Sequence, residues 1–451
     1  MKQDLDETIG EEALTISGFR QSVASVLPKG RFTRSVTLLT GGAALGQAIN
    51  ILVSPVLTRL YSPEDFGAFG VYVAILGIAL AVASLRYEYA ILLPKDDESA
   101  ANILALCFLI LIGMTTLSWF AVYGWGDQMM AWANVPELGH YLWFIPIGML
   151  GAGTYQILNY WAIRMGYFAR IGKTRLTRGL ARASLQVGLG FTTTGPMGLL
   201  LGQLAGDSAG SGSLGTIAWR KDYTSLRAIN LQSMRKAAVR YRRFAIFSGV
   251  ANIIDVLGSS APQILFSAFY GSEVAGWFML GQSVIAAPLN IVVDSVSQVY
   301  FGEIARLGRY DPKSMRQIYL KLTGRLALIG AIPVAVICTF APWAFSVIFG
   351  QGWEIAGVYV QILGLMFAVR FAVIPLQHTL NALERQDLLL IWEITRFIVV
   401  LGALLAGNIW HIAHTTAVMI YSLSMSASYI VLWLIAFYAI GNGLGRGCER
   451  V

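Results

Sequence analysis

Residues 55–97 read PVLTRLYSPEDFGAFGVYVAILGIALAVASLRYEYAILLPKDD. An apolar run reaches Pro55, Val56 and Leu57 and stops at Arg59. Tyr61, Ser62, Pro63, Glu64, Asp65, Phe66 and Gly67 follow, a composition that favours chain reversal. A second apolar run, 71–84, leads to Arg86, Tyr87 and Glu88, and the segment closes on Lys95, Asp96, Asp97 and Glu98. Two apolar stretches joined by a short turn, with charges at both ends, describe a membrane hairpin.

The rest of the chain has the same character. Of its 451 residues, 56% are hydrophobic and 13% charged, against about 25% charged in a soluble domain. Mean hydropathy is +0.62. A single soluble core stops growing near about 250–300 residues, so this much apolar surface points to an all-α polytopic membrane protein. The net charge of +8 would suggest nucleic acid in a soluble protein, but here the basic residues fall between apolar segments. Nucleic acid is not expected as a partner.

Twelve stretches are long enough to cross a bilayer, at about 20 residues each: 35–57, 66–85, 100–122, 140–163, 177–195, 196–218, 244–270, 275–300, 323–349, 354–377, 388–410 and 412–439. With the N-terminus placed inside, only Arg59 among the 33 basic residues falls on the outer side, and only Arg370 and Arg396 fall within spans. The rest collect on the inner side: Lys2, Arg20, Lys29, Arg31 and Arg34 before the first span, then Arg86 and Lys95, and later the basic stretch 220–243. This asymmetry sets an even number of spans with both termini cytoplasmic. The expected organisation is a cytoplasmic segment at 1–34, an N-lobe of six helices at 35–218, and a basic linker loop at 219–243. A C-lobe of six helices at 244–440 and a cytoplasmic tail at 441–451 complete it. The acid-rich start (Asp4, Asp6, Glu7, Glu11, Glu12) lacks the form of a signal peptide, and the first span is expected to direct insertion.

Trp119, Trp125, Trp132, Trp143, Trp277, Trp343, Trp353 and Trp410 map to the outer side, and Trp161 and Trp219 to the inner, the pattern of an aromatic belt. Cys107, Cys338 and Cys448 form no metal-binding or disulfide spacing. Gly210, Gly212 and Gly215 match GxGxxG, but no strand precedes them; with Gly202 and Gly206 they suggest close helix packing. His411 and His414 stand three apart without an acidic third ligand, so no metal site is expected. Neither a Walker A sequence nor a hydrolytic arrangement of serine with histidine, or of paired carboxylates, is present. An enzyme is not expected, no catalytic residue is named, and no cofactor is implied.

Ionisable residues inside spans are costly and are functional candidates by default. They are Asp207, Asp255, Asp294, Arg370, Glu393 and Arg396. Glu393 and Arg396 share a helix face and are read as a local ion pair or a functional one. Arg370 has no carboxylate near it on its own helix, so it pairs across helices, snorkels, or faces a water-filled cavity. Arg175, Arg178 and Arg182 form one stripe at the start of the fifth span, with Gln186 a turn deeper. The stripe either anchors to anionic headgroups or forms a basic wall suited to a diphosphate, which guanidinium groups bind in a fork.

Several segments also resemble one family. Leu57-Thr58-Arg59-Leu60-Tyr61-Ser62-Pro63-Glu64-Asp65-Phe66-Gly67 looks like the first-turn signature of the polysaccharide (O-antigen type) flippases. These belong to the multidrug/oligosaccharidyl-lipid/polysaccharide exporter superfamily. Leu85-Arg86-Tyr87-Glu88-Tyr89-Ala90-Ile91 resembles the family's second-helix ending. Later echoes are Leu199-Leu200-Leu201-Gly202, Phe349-Gly350-Gln351-Gly352-Trp353-Glu354-Ile355-Ala356-Gly357, and Glu384-Arg385-Gln386-Asp387. The resemblance runs in order over about residues 35 to 440.

It implies two six-helix lobes around a central cavity that opens alternately to either side of a bacterial inner membrane. The implied substrate is an undecaprenyl-diphosphate-linked oligosaccharide, and the process surface polysaccharide or lipopolysaccharide synthesis. Glycosyltransferases and a polysaccharide polymerase are the implied partners. Arg86 is the family-matched candidate for substrate contact; Arg178, Arg182, Arg370 and Arg396 are candidates from burial. Asp207, Asp255, Asp294 and Glu393 are candidates for coupling to a proton or sodium gradient, or for pairing with the buried arginines. The alternative is an ion-coupled drug or metabolite antiporter of a twelve-helix fold.

Overall fold

The hairpin at residues 55–97 is built by its own capping residues. In the computed structural model, which describes residues 31–192, 194–242, 246, 248–307, 312–383 and 385–447, helix α1 spans Arg31–Leu60 and α2 spans Pro63–Val82. The side chains of 31–40, 43, 44, 136, 137, 305–312 and 442–447 are not described. The expectations for Lys2, Arg20, Lys29, Arg31, Arg34, Arg243, Arg306, Arg309, Glu384, Arg446, Cys448 and Arg450 therefore lie outside the described residues or side chains. Ser62 is the N-cap of α2: its Oγ accepts from the Asp65 N–H at 3.2 Å, and the Asp65 carboxylate accepts from the Ser62 N–H at 3.0 Å. This reciprocal capping box, with Pro63 in the first turn and Glu64 and Asp65 facing the positive helix end, starts α2 at one register. Pro55 inside α1 cannot donate to Ile51; the Ser54 hydroxyl donates to that carbonyl instead, at 2.7 Å.

The remaining long helices are α3 (Asp97–Trp132), α4 (Phe144–Arg164), α5 (Phe168–Gly190), α6 (Met197–Ser208), α7 (Ser211–Lys221), α8 (Gly249–Tyr270), α9 (Ser272–Leu307), α10 (Pro312–Phe349), α11 (Glu354–Val373), α12 (Gln386–Ile409) and α13 (His414–Gly447). Eight of them, α2, α3 and α8 through α13, contain a stretch long and apolar enough to cross a membrane by themselves. A shorter apolar piece of α1 covers Leu45–Leu60. The arginine-rich α5 is less apolar, and one face of it packs between α1 and α6.

The sixth crossing departs from the continuous helix expected over 196–218. It breaks into α6 and α7 at Ala209 and Gly210, where Ala209 is extended and Gly210 has φ 92°. Only glycine adopts that backbone region without penalty. A Cβ on Gly210 would also meet Thr174 at 2.7 Å. Counted as one interrupted crossing, α6 and α7 bring the total among the described residues to twelve. The basic linker is mostly helical, through Tyr223–Arg227 and Leu231–Arg240.

The helices pack into two bundles, α1–α7 and α8–α13. In the first, α5 joins α1 to α6, and α4 touches α2, α3, α6 and α7; in the second, α11 packs on α9, α10 and α13, and α12 bridges α8 and α13. The seam between bundles belongs mainly to α2, which lies against α8 and α9 more extensively than against its own bundle. The chain alternates between two ends, named here for Ser62 and Arg86. At the Arg86 end, Arg164 ties α4 to the turn before α3, pairing with Asp97 at 2.9 Å and donating to the Ile91 and Pro94 carbonyls.

Candidate functional site

At the Ser62 end the bundles meet backbone to backbone. A Cβ on Gly67 of α2 would stand 1.8 Å from the Ser272 carbonyl oxygen, and a Cβ on Gly276 of α9 would stand 1.8 Å from that of Pro63. Two glycines therefore let the N-terminal turns of α2 and α9 touch. Around them Phe66 meets the buried Trp353 edge-on at 4.9 Å. The Trp353 indole N–H donates to the Thr58 carbonyl at 3.1 Å, and that of Trp277 to the Gly352 carbonyl at 2.9 Å. Tyr61 donates to the Gln186 carbonyl of α5 at 2.7 Å. Residues 57–67 and 349–357, far apart in sequence, thus form one seal.

At the Arg86 end the same seam holds a cleft of ≈ 670 Å³ lined by Arg86, Asn252, Asp255, Asn381, Asp387 and Glu393 among others. Arg86 reaches it from an unusual backbone: φ is 64° at Arg86 and 48° at Leu85. Left-handed geometry at bulky residues costs on the order of 1–3 kcal/mol each and persists only where the surroundings impose it. Next to it the buried Glu88 is held from both sides, accepting from Ser84 and, at 2.9 Å, from Gln156 of α4. Arg86 then donates to the Asn252 side-chain oxygen of α8 and stacks over Tyr89 at 4.9 Å. Asn252 returns a bond to the Ala81 carbonyl at 3.3 Å.

Behind the cleft wall lies a cluster in the second bundle. Arg396 of α12 is buried, pairs with Asp255 of α8 at 3.1 Å and with Glu393 one turn away, and stands over the Trp392 ring at 5.0 Å. One guanidinium thus faces two carboxylates. Arg370 of α11 differs: its guanidinium donates to Asn290 of α9 at 3.2 Å and lies over Phe367 at 5.9 Å. Among the described residues no carboxylate pairs with it. Asp294 is exposed on α9, one turn from Asn290.

The first bundle holds the opposite arrangement. Arg178 and Arg182 of α5 both reach Asp207 Oδ1 of α6, at 3.0 and 2.9 Å. Gln203 donates to Oδ2 at 2.7 Å, and Arg178 also bonds the Gly206 carbonyl and lies 4.1 Å over the Tyr155 ring. A Cβ on Gly202 or Gly206 would collide with Gln186 or Arg182 at 2.3 and 2.8 Å, so bare backbone at those positions lets Asp207 approach α5. Two guanidinium groups share one carboxylate, leaving surplus positive charge. Arg175, on the same stripe, is half-buried, and its carbonyl faces Gly46 of α1.

Three tryptophans leave the aromatic belt expected for them. Trp277 and Trp353 are buried in the Ser62-end seal, and Trp161 is buried with its N–H on Asp222 at 2.9 Å. An indole buried at a helix junction needs an acceptor for its N–H, and each of these finds one. Trp119, Trp125, Trp132, Trp143, Trp219, Trp343 and Trp410 remain exposed. Asp222 also takes the Tyr167 hydroxyl at 2.8 Å, and burial, then this bond, pushes the Tyr167 phenol up to about 12. Arg59 is exposed and caps its own Pro55 carbonyl at 2.8 Å. His414 bonds Tyr359 at 2.7 Å.

Glu88, Asn252, Asn290 and the Gly67–Gly276 pair do not stand out in the sequence as site residues. Only their order within short motifs marks some of them, since their partners lie up to 213 positions away (Gly276 and Pro63).

The profile of the family described as "Polysaccharide biosynthesis protein" matches residues 56–357. Two curated relatives carry related descriptions. The amylovoran biosynthesis protein AmsL of Erwinia amylovora is 23% identical over 287 residues, 61% of this chain and 70% of that protein. The succinoglycan biosynthesis transport protein ExoT of Rhizobium meliloti is 20% identical over 393 residues, 83% of this chain and 75% of that protein. Among solved structures, an inward-facing multidrug resistance MATE family transporter of the MOP superfamily superposes with TM-score 0.68. It is 14% identical and covers 88% of this chain and 96% of its own. An outward-facing form of such a transporter gives 0.56 at 15% identity, covering 91% and 96%.

Proposed function

The chain belongs to the polysaccharide biosynthesis protein family, and from that premise we propose that it moves undecaprenyl-diphosphate-linked oligosaccharide repeat units across the bacterial cytoplasmic membrane by alternating access. Family and fold make it a multi-pass membrane transporter in polysaccharide synthesis rather than an enzyme. The observation that carries the finer reading is the seam between bundles: sealed at the Ser62 end by helix contact, and hollow and polar at the Arg86 end.

The Arg86 end is placed at the cytoplasm, where the basic residues collect. A polyprenyl tail stays in the bilayer while the diphosphate and sugars follow the seam. Arg370, bonded to a neutral amide, keeps its charge free for the diphosphate, and Arg86 meets the headgroup at entry. Arg178 and Arg182 add surplus positive charge in the first bundle. Arg396 is neutralised and positions Asp255 and Glu393. That surplus of carboxylate on the cleft wall is suited to exchange a proton or sodium ion during the cycle. Glycosyltransferases that build the repeat unit and a polymerase that consumes it are the partners this role requires.

The test is a deletion strain assayed for the leaflet in which lipid-linked repeat units accumulate. Units trapped on the cytoplasmic side, released by the wild-type gene but not by one encoding Arg370→Glu, are expected. Normal surface polysaccharide in the deletion strain, with no second exporter, overturns the reading.

A further inference from the structure

A second hollow lies outside the seam, between α3, α4, α7 and the linker. Its volume is ≈ 580 Å³, within the range of about 300–1,000 Å³ that holds small ligands. Leu104, Phe108 and Ile112 of α3, Leu158 of α4, and Gly215 and Trp219 of α7 form its walls. Leu226, Ile229 and Met234 of the linker close its top.

Three observations say what fits there. The first is depth. Leu104 to Ile112 lie roughly 10–22 Å along α3 from Asp97 at 1.5 Å per residue, a depth that an acyl chain entering a core about 30 Å thick from the Arg86 end reaches. The second is that the roof is fixed. Asn102, buried on α3, donates to the Ala228 carbonyl at 3.2 Å and accepts from the Asn230 N–H at 2.9 Å. A buried amide on an apolar helix is costly unless both its ends are bonded; each end bonds the linker, and the amide NH2 also donates to the Glu98 carbonyl of its own helix at 2.9 Å. The third is charge. Arg220, Lys221, Arg227, Arg235 and Lys236 are exposed along the roof, Arg227 stacked on Tyr223 and Lys221 on Tyr167. Trp219, 64% exposed, stands at the rim. The acid in this stretch, Asp222, is buried and committed to Trp161 and Tyr167.

We propose that this slot binds one acyl chain of an anionic glycerophospholipid, whose headgroup lies against the linker's basic residues. The inference rests on the chain's being embedded in a bilayer and is independent of what it transports. A lipid held there braces the linker that joins the two bundles.

The purified full-length protein, exchanged in detergent against equal phosphatidylglycerol and phosphatidylcholine of the same acyl chains, is to be examined by native mass spectrometry. One phosphatidylglycerol should be retained, with roughly fivefold preference, the worth of one basic contact at an anionic surface. Gly215→Leu fills the slot with space to fold, since a Cβ there meets nothing nearer than Leu158 at 3.6 Å, and should lose the bound lipid. Ala105→Leu fills it from α3 and should do the same. The double variant Arg227→Gln/Arg235→Gln should equalise the two lipids. Equal retention of both lipids by the wild type, or undiminished retention in a folded filling variant, overturns the proposal. If both filling variants misfold, the double variant decides: an unchanged preference overturns it.

Discussion

Replacing Gly67 by alanine places a methyl carbon 1.8 Å from the Ser272 carbonyl oxygen. That oxygen belongs to backbone at the start of α9, so no side chain can rotate away. To regain ordinary van der Waals distance, α2 and α9 must separate by roughly 1.6–2 Å, which is overpacking of a kind that costs typically about 1–3 kcal/mol. On the proposed alternating-access cycle the strain falls on the sealed state alone, because a state open at the Ser62 end parts the two helices. The sealed-to-open ratio should therefore drop by roughly 5- to 150-fold, at 1.4 kcal/mol per factor of ten. Gly77 supplies the internal control on the same helix: a Cβ there meets nothing nearer than the Ser260 hydroxyl at 3.7 Å, so Gly77→Ala should leave the ratio unchanged. The assay is pulsed electron–electron dipolar spectroscopy between spin labels at Phe191 and Val347, exposed positions near the Ser62 ends of α5 and α10. Gly67→Ala and Gly276→Ala should both lengthen the distance distribution and impair export. A folded Gly67→Ala protein with the wild-type distribution would refute the assignment of this crossing as a seal.

Other substitutions separate structural from transport roles. Trp353→Phe keeps the edge contact with Phe66 but leaves the Thr58 carbonyl without its indole donor; thermal unfolding should register a loss of about 1 kcal/mol. Asp207→Asn leaves two arginines with a neutral partner. The loss should sit near the low end of about 3–5 kcal/mol, because both guanidinium groups are about a quarter exposed, and it should appear as lower folded yield and melting temperature. Arg370→Lys should retain part of the export activity and Arg370→Glu lose it, with similar melting temperatures for both; equal export by the two variants argues against a diphosphate contact. Glu393→Gln keeps the hydrogen bond to Arg396 while removing a charge, so it should abolish the dependence of transport on the ion gradient more than it lowers stability.

Much of the architecture was legible from residue order because the bilayer acts on local properties. Hydropathy over about 20 residues specifies how many times the chain crosses, and the placement of basic residues sets the expected sense of crossing. The capping box at Ser62 and Asp65 is equally local, and it starts α2 at Pro63, inside the turn that the composition of residues 61–67 suggests. The break between α6 and α7 is less legible, since Gly210 is one glycine in a glycine-rich run and only its contact with Thr174 explains the bend.

Pairing across helices was decided by tertiary structure alone. Asp207 stands 25 residues from Arg182, and Asp255 stands 141 from Arg396. Nothing in either segment names the other. Tryptophan shows the same division: chain position places Trp353 and Trp410 alike near one face, yet packing buries one against Thr58 and leaves the other exposed. Residues 55–97 carry both lessons. Their sequence specifies a hairpin, because capping and hydropathy are short-range. That α2 lies along the seam, with Gly67 against Ser272 and Arg86 against Asn252, follows only when the second bundle closes on it.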